Sequence, residues 1–297
     1  MKTHKNLIVD LNNLIFITRY ASIKTPSRSQ PKEEYVTELI FKETLGSIVY
    51  FANTFKADSV VIACDSSNVW RKDIHPEYKA GRDHDDVYYR ETIEAADLTK
   101  KFFRECTNAA VIEVPRCEAD DIIGVFVQES EGVENVILSS DKDFIQLIDD
   151  NTTLYSPAQK TWRVSDDGEY ELFLKCIRGD RGDNILSAYP RVRETKLKEA
   201  WDDPYKMQNL METVRKDGKK VKDAFDFNTK LIDLSMQPDD IREDIVNALN
   251  APYPSNYGEL KMMAWLGKHN LKEHADMLSF KERPLKKKFV LKGDSDA

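Results

Sequence analysis

The 297-residue chain has no long apolar run. Its strongest, Leu7-Ile8-Val9 and Val60-Val61-Ile62-Ala63-Cys64, fall far short of the roughly 20 residues of a membrane span or the apolar core of a signal peptide. A secreted or integral membrane protein is therefore not expected. The four cysteines, Cys64, Cys106, Cys117 and Cys176, show no Cys-x-x-Cys spacing. They fit neither a zinc site nor a disulfide framework, and read as reduced and buried. The histidines show no ligand spacing either. His269 and His274 lie close together, but in a lysine-rich stretch that suits a solvated or capping role. Internal repeats, low-complexity blocks and the biases of disorder or collagen are absent. An excess of positive charge is absent too: 44 Lys+Arg face 52 Asp+Glu, for a net charge of -8. Taken alone, that speaks against a polyanionic partner.

What is present is a globular composition, 41% hydrophobic and 32% charged, long enough for a sizeable core and about two domains. Buried strands are predicted at 6–10, 59–64, 110–114 and 134–139, with helices at 33–55 and 117–129 between them. Strands alternating with helices indicate a parallel sheet covered on both faces. From about 170 the strand signal fades. Helices are predicted at 170–178, 193–201, 205–216, 222–234, 239–249 and 257–279, punctuated by prolines. The expected architecture is α/β: a central, mostly parallel sheet flanked by helices in residues 1–170, then a helical domain over 171–297. The polar segment 66–104 has few apolar anchors between Trp70 and Phe102. It is expected to stay out of the core and to bridge the site as a mobile arch.

The acids lie where such a sheet binds ligands, at the carboxyl ends of its strands. Asp10 and Asp65 each follow a predicted strand. Glu118, Asp120 and Asp121 open a helix after the third, and Asp141 and Asp143 follow the fourth. Asp180 and Asp183 sit in a turn-rich stretch, Gly-Asp-Arg-Gly-Asp-Asn, that can fold back onto that edge. Glu118 and Asp121 share a helix face, and Asp141 and Asp143 point the same way in extended chain. Singly, each is equally a helix cap or a turn residue. Together they would repel strongly. Hard divalent cations resolve that repulsion, and oxygen donors suit Mg²⁺ or Mn²⁺. Two such ions about 3.5–4 Å apart make a phosphodiester-cleaving site.

Setting these acids aside leaves acids and bases nearly balanced, and the bases cluster. Arg71, Lys72, Lys79 and Arg82 follow the second strand, while Arg178, Arg181, Arg191, Arg193, Lys196 and Lys198 surround the Gly-Asp-Arg-Gly-Asp-Asn stretch. Bases beside a metal–carboxylate site suit phosphate-backbone contact.

Six stretches occur in one order over the first 190 or so residues. They are Leu-Ile-Val-Asp10, Ile-Ala-Cys-Asp65, Arg71-Lys-Asp-Ile-His-Pro-Glu-Tyr78-Lys79-Ala-Gly-Arg82, Glu118-Ala-Asp120-Asp121, Ser139-Ser-Asp141-Lys-Asp143-Phe144 and Gly179-Asp180-Arg-Gly-Asp183-Asn184. In these the chain resembles the 5′-nuclease superfamily, and its long helical tail is most similar to the bacteriophage ribonuclease H branch. The resemblance implies a PIN-like fold and a structure-specific nuclease that uses two Mg²⁺ ions, with Mn²⁺ as a substitute. Such an enzyme acts 5′ to 3′ on branched or nicked DNA and RNA–DNA hybrid, removing primers and 5′ flaps in replication.

By the same resemblance, Glu118, Asp120, Asp141 and Asp143 hold one ion. Asp121, Asp180 and Asp183 hold or orient the second, and Asp10 and Asp65 complete the acidic floor. Lys79 and Arg82 contact the scissile phosphate, and the Tyr78 ring stacks on a base. Arg71, Lys72, Arg181, Arg191, Arg193, Lys196 and Lys198 are the expected nucleic-acid contacts. A monomer in the cytoplasm (the host's, if phage-encoded) is expected, and the basic 281–292 tail is read as a contact for single-strand-binding protein or for nothing. One departure is visible: Ile185-Leu-Ser-Ala-Tyr-Pro-Arg-Val-Arg-Glu-Thr lacks the glycines of the family's duplex-binding hairpin. Backbone phosphate cradling is then weakened, and Arg191, Arg193, Lys196 and Lys198 stand in for it.

Three other readings compete. A haloacid-dehalogenase-like phosphatase needs a second acid two residues after Asp10, where this chain has Asn12. A PIN-type ribonuclease would be shorter and lack both 66–104 and the helical tail. A non-catalytic DNA-junction binder would use the acids merely as helix caps.

Overall fold

A computed structural model describes residues 4–23, 33–81, 87–269, 271 and 283–292. The strands are β1 (Lys5–Asp10), β2 (Ser59–Cys64), β3 (Ala110–Glu113), β4 (Glu134–Leu138), β5 (Thr152–Ser156) and β6 (Thr161–Arg163). The first helices are α1 (Leu11–Ile23), α2 (Glu33–Thr54), α3 (Arg71–Ile74), α4 (Tyr89–Cys106) and α5 (Ala119–Glu129). After a 3₁₀ turn at Asp143–Leu147 come α6 (Gly168–Arg178), α7 (Glu194–Trp201), α8 (Pro204–Met211) and α9 (Val221–Ile232). α10 (Asp239–Asn250), α11 (Glu259–Lys268) and α12 (Arg283–Lys286) follow.

The strands form one sheet in the order β3-β2-β1-β4-β5-β6. All neighbours are parallel except β5 and β6. Strand side chains alternate between two cores, as the two-residue period requires. Leu7, Val9, Val60, Ile62, Val136 and Leu138 pack with α1, α2 and α4 on one face. Ile8, Val61, Ala63, Ile112 and Ile137 pack with α5 and α10 on the other. Burial on both faces explains why these strands read as continuous apolar runs. The strand order reverses direction between β1 and β4, so the crevice beyond Asp10 and Ser139 is the topological switch point.

Two expectations change. First, β5 and β6 were not anticipated; both are short, and their sequences carry little apolar signal. Second, 66–104 is not excluded from the core. α4 buries Thr92, Ala95, Ala96, Thr99, Phe102, Phe103 and Cys106, a helical stripe whose Ala and Thr members carry no strong hydrophobic signal. Residues 82–86, within the expected arch, lie outside the described residues. The helical part divides its apolar residues among the cores. Only its first section has a core of its own, around Phe173, Ile177, Leu197, Leu210 and Val221. Beyond it, Leu234, Ile241, Ile245 and Leu249 join one face of the sheet, and Met262, Trp265, Leu266 and Leu285 join the other.

The return of the chain after α9 has a tight fit. A Cβ added at Gly124 in α5 would lie 2.8 Å from the Leu234 carbonyl oxygen and 3.1 Å from its Cβ. Gly124→Ala is expected to lower the urea midpoint. Overpacking costs about 1–3 kcal/mol, more than the ~1 kcal/mol that alanine gains in helix propensity. A parental or higher midpoint would show that 234 does not press on α5.

Candidate active site

Asp10 is the last residue of β1 and 5% exposed. Its Oδ1 accepts the Asn13 N–H (3.1 Å), and its Oδ2 accepts the Ser139 hydroxyl (2.8 Å). Ser139 in turn accepts the Asp141 N–H (3.1 Å), and Asp141 Oδ1 accepts the Asp143 N–H (2.9 Å). The ends of β1 and β4 are thus stitched together. Asp65, after β2, accepts the Ala119 N–H (2.7 Å) and the Asn12 side-chain amide (2.5 Å). Asn12 is therefore a donor to a neighbouring acid, which the phosphatase reading does not accommodate.

α5 begins with a reciprocal capping box between Glu118 and Asp121. It adds acids at the positive end of a helix dipole. Glu118 meets the Lys79 ammonium, the Tyr78 hydroxyl (3.0 Å) and Arg71 (3.1 Å).

The Asp180–Asp183 loop reaches the site by a clamp. Gly179 has φ +71°, and a Cβ there would lie 2.3 Å from the Ile185 carbonyl oxygen, so only glycine fits. Asp180 and Ile185 exchange backbone hydrogen bonds across the loop (2.9 and 2.7 Å). The Lys79 N–H donates to the Asp183 carbonyl (3.1 Å), and the Asn184 amide donates to the Glu77 carbonyl (3.1 Å). Segment 75–80 and loop 179–184 thus form one wall of the cleft.

Charge governs the interior of the cleft. Burial, then Asp65 and Asp141, push the Asp10 carboxyl up to about 7. Burial, reinforced by Asp141, Asp10 and Glu118 against an opposing Lys79, holds Asp120 well above the usual carboxylate range. Burial and Asp141 raise Asp143, and burial raises Asp65. Glu118 lies below its ordinary value: burial pushes it up, but Lys79 and Arg71 outweigh that. Asp180 is likewise lowered, because Lys175 overcomes burial. Lys175 contacts Asp143 and lies 3.0 Å from Asp180. Lys79 contacts Glu118 and lies 4.0 Å from Asp183.

Asp10, Asp65, Glu118, Asp120, Asp141, Asp143, Asp180 and Asp183 come together around this cleft. Three predicted residues are taken up by protein partners. Asp121 is fully buried and turned to Arg71 and Trp70, so it does not face the cleft. Arg71 is 2% exposed and bound to those acids, not open to a phosphate. Tyr78 is 3% exposed, with its hydroxyl on Glu118, and its ring has no open face for a base. Lys72, Arg181, Arg191, Arg193, Lys196 and Lys198 are exposed. Arg82 lies outside the described residues. Sequence reasoning missed Asn12, Asn13, Ser139 and Lys175. Lys175 had a faint signal, a lysine one helical turn before Gly179-Asp180.

A parallel sheet whose switch-point crevice gathers acids and two lysines defines a phosphate-directed hydrolase fold. Residues 5–173 match the family described as 5′-3′ exonuclease, N-terminal resolvase-like domain, and the chain belongs to that family. It is 27% identical over 271 residues to ribonuclease H of Enterobacteria phage T4, covering 82% of this chain and 86% of that protein. Against the 5′-3′ exonuclease of Mycoplasmopsis pulmonis it is 27% identical over 202 residues, 62% of each chain. It is also 28% identical over 191 residues to the thermostable DNA polymerase I of Thermus filiformis, but spans only 21% of that protein. The fold matches a bacteriophage T5 protein co-crystallised with metal ions, with TM-score 0.62 and 17% identity over 92% of this chain and 100% of that one. It also matches the T5 flap endonuclease in a pseudo-enzyme-product complex with DNA and metal ions, with TM-score 0.57 and 18% identity over 94% and 100%.

The raised Asp10 value has a checkable sign. Asp10 holds its proton more tightly folded than unfolded, where 3.8 applies. Its contribution is most favourable at low pH and is lost as pH rises from about 4 to about 7. In chelator, Asp10→Asn should therefore melt above the parent at pH 8, with the gap closing towards pH 4. A gap independent of pH would overturn the assignment.

Proposed function

We propose that the protein is a structure-specific 5′-3′ nuclease with exonuclease, flap-endonuclease and ribonuclease H action. Its substrates are branched or nicked DNA and RNA–DNA hybrid, and its role is removal of RNA primers and 5′ flaps in replication. The observation that carries this reading is the convergence of acids from β1, β2, α5, the β4 end and loop 179–184 on the switch-point crevice. The relatives' names agree with it. We place it as a monomer in the cytoplasm, the host's if phage-encoded. Among the described residues no helix is long and apolar enough to cross a membrane.

The donor set fits two Mg²⁺ ions, or Mn²⁺. Every donor is a carboxylate oxygen, as hard cations require. Burial and mutual repulsion raise Asp10 and Asp120, so the cleft has negative charge to neutralise. The Lys79 and Lys175 ammonium groups already sit between acid pairs, as stand-in cations. Among the described residues, no three His, Cys, Asp or Glu side chains are gathered closely enough to hold one ion as they stand. Carboxylate shifts of the kind a released lysine permits are therefore part of the proposal. Asp10, Asp120, Asp141 and Asp143 would hold one ion, and Glu118, Asp180 and Asp183 the other, with Asp65 behind them. When bound, such ions supply Lewis acidity at the phosphoryl oxygens and a water nucleophile at neutral pH.

The chain's own groups do the rest. Lys79 and Lys175, freed from their acids, turn to the scissile phosphate, where transition-state charge develops. Lys72, Arg181, Arg191, Arg193, Lys196 and Lys198 hold the flanking backbone. The basic tail, a candidate contact for single-strand-binding protein, keeps Lys286, Lys287 and Lys288 exposed. Lys286 lies near Glu259 and Lys287 near Asp58 (3.8 and 3.3 Å), and Lys288 donates to the Tyr253 carbonyl (2.5 Å).

The test is cleavage of end-labelled flap, nicked and RNA–DNA hybrid substrates, with Mg²⁺ and with chelator. Asp141→Asn combined with Asp143→Asn should abolish cleavage and leave duplex binding equal or tighter, since two phosphate-repelling charges are gone. Near-parental turnover of the double variant in saturating Mg²⁺ would refute the metal assignment.

A further inference from the structure

Arg71 was expected to meet phosphate, and the structure gives it a different task. All three guanidinium nitrogens have protein partners. Nε donates to the Leu231 carbonyl (2.8 Å). Nη1 donates to Glu118 Oε2 (3.1 Å) and Asp121 Oδ2 (2.9 Å), and Nη2 lies 2.9 Å from Asp121 Oδ1. The Trp70 ring packs 4.6 Å from the guanidinium carbon. At 2% exposure this fork joins three pieces of chain: α3, the start of α5 and the end of α9. Arginine suits the place. It presents donors in a fixed plane and does not lose its charge. It also meets α9 at the negative end of that helix.

The consequence falls on Glu118. Arg71 and the Tyr78 hydroxyl both hold Oε2, leaving Oε1 to Lys79. The half of the carboxylate facing Lys79 is thus the half left for a cation. The end of α9 and the chain just past it supply another wall, where Leu231, Ile232 and Leu234 line the cleft together with Arg71, Tyr78 and the acids. Gln146 braces that wall, accepting the Leu234 N–H (2.8 Å) and donating to the Ile232 carbonyl (3.2 Å). Resting on the nuclease reading above, we propose that Arg71 is a positioning residue for the metal site. It locks Glu118 and ties it to the seating of α9, and it makes no contact with nucleic acid.

Arg71→Lys keeps the charge but loses the fork. Arg71→Gln with Asp121→Asn is neutral, leaves no lone buried charge, and serves if the lysine variant does not fold. Three readouts separate the possibilities. Mg²⁺ affinity, by calorimetry without DNA, should fall about 10–100-fold, as for loss of a group that orients a ligand. Flap-duplex affinity in chelator should stay at the parental value. The single-turnover rate should fall and be partly restored by excess Mg²⁺. Weakened duplex binding with unchanged Mg²⁺ affinity would make Arg71 a substrate contact and overturn the proposal. So would a lower melting temperature with parental Mg²⁺ affinity and rate, which would make it purely structural. If the parent cleaves none of the three substrates, the nuclease reading falls, while the calorimetric comparison still decides the role of Arg71.

Discussion

Asp10, Asp65, Asp120 and Asp141 repel one another across the carboxyl edge of β1, β2 and β4. At an effective dielectric of about 20, two charges 4 Å apart interact by roughly 4 kcal/mol. A typical hydrogen bond returns about 1 kcal/mol net. The Ser139, Asn13, Asn12 and Ala119 donors therefore orient these acids without neutralising them. Neutralisation takes positive charge, and the fold brings it from three directions. Lys79 comes from the segment after α3, Lys175 from α6, and Arg71 from inside the core. Each meets an acid remote in sequence: Lys79 meets Glu118, Lys175 meets Asp143 and Arg71 meets Asp121. Folding the helical region against the sheet is what assembles the charge balance.

That requirement explains the shape of segment 71–80. Its polar residues suggest a solvated arch, yet Arg71 and Tyr78 are buried because the acids they serve are buried. Once they are fixed, the backbone of 75–80 is presented to loop 179–184, and the Lys79 and Asn184 hydrogen bonds follow. Lys79 itself has φ +57°, an uncommon left-handed conformation for a lysine. It persists because its amide serves Asp183 while its ammonium serves Glu118.

The sheet was legible in the sequence because each central strand is an apolar run closed by an acid, Asp10 and Asp65 most plainly. The acids on strand ends were legible for the same reason, and the family resemblance ordered them. What the sequence did not show was direction. Glu118 and Asp121 do share a helix face, but the capping box turns one to the cleft and the other to the core. Arg71 and Tyr78 look like surface residues because charge and hydroxyl are visible in a sequence and burial is not. Lys175 was overlooked because its partner Asp143 is remote along the chain. α4 was overlooked because Ala95, Ala96, Thr92 and Thr99 bury as well as larger side chains once helical spacing aligns them.

The amino end of the same strands solves a different problem by different means. Asn6, fully buried in β1, donates to Asn135 (3.0 Å) and to the Val290 carbonyl (2.9 Å), and accepts from Ser59 (2.8 Å). These groups are mostly neutral, so burial costs little once every donor has a partner. Leu285 anchors the segment with no exposure, and Lys287 answers a buried acid there, Asp58. The carboxyl end cannot be closed in that way, because its carboxylates would lose solvation without equivalent partners. One sheet thus has an end sealed by neutral hydrogen bonds and an end that takes cations. The net charge of -8 owes much to the second, which is why it misleads as a guide to whether the surface around that cleft can meet a polyanion.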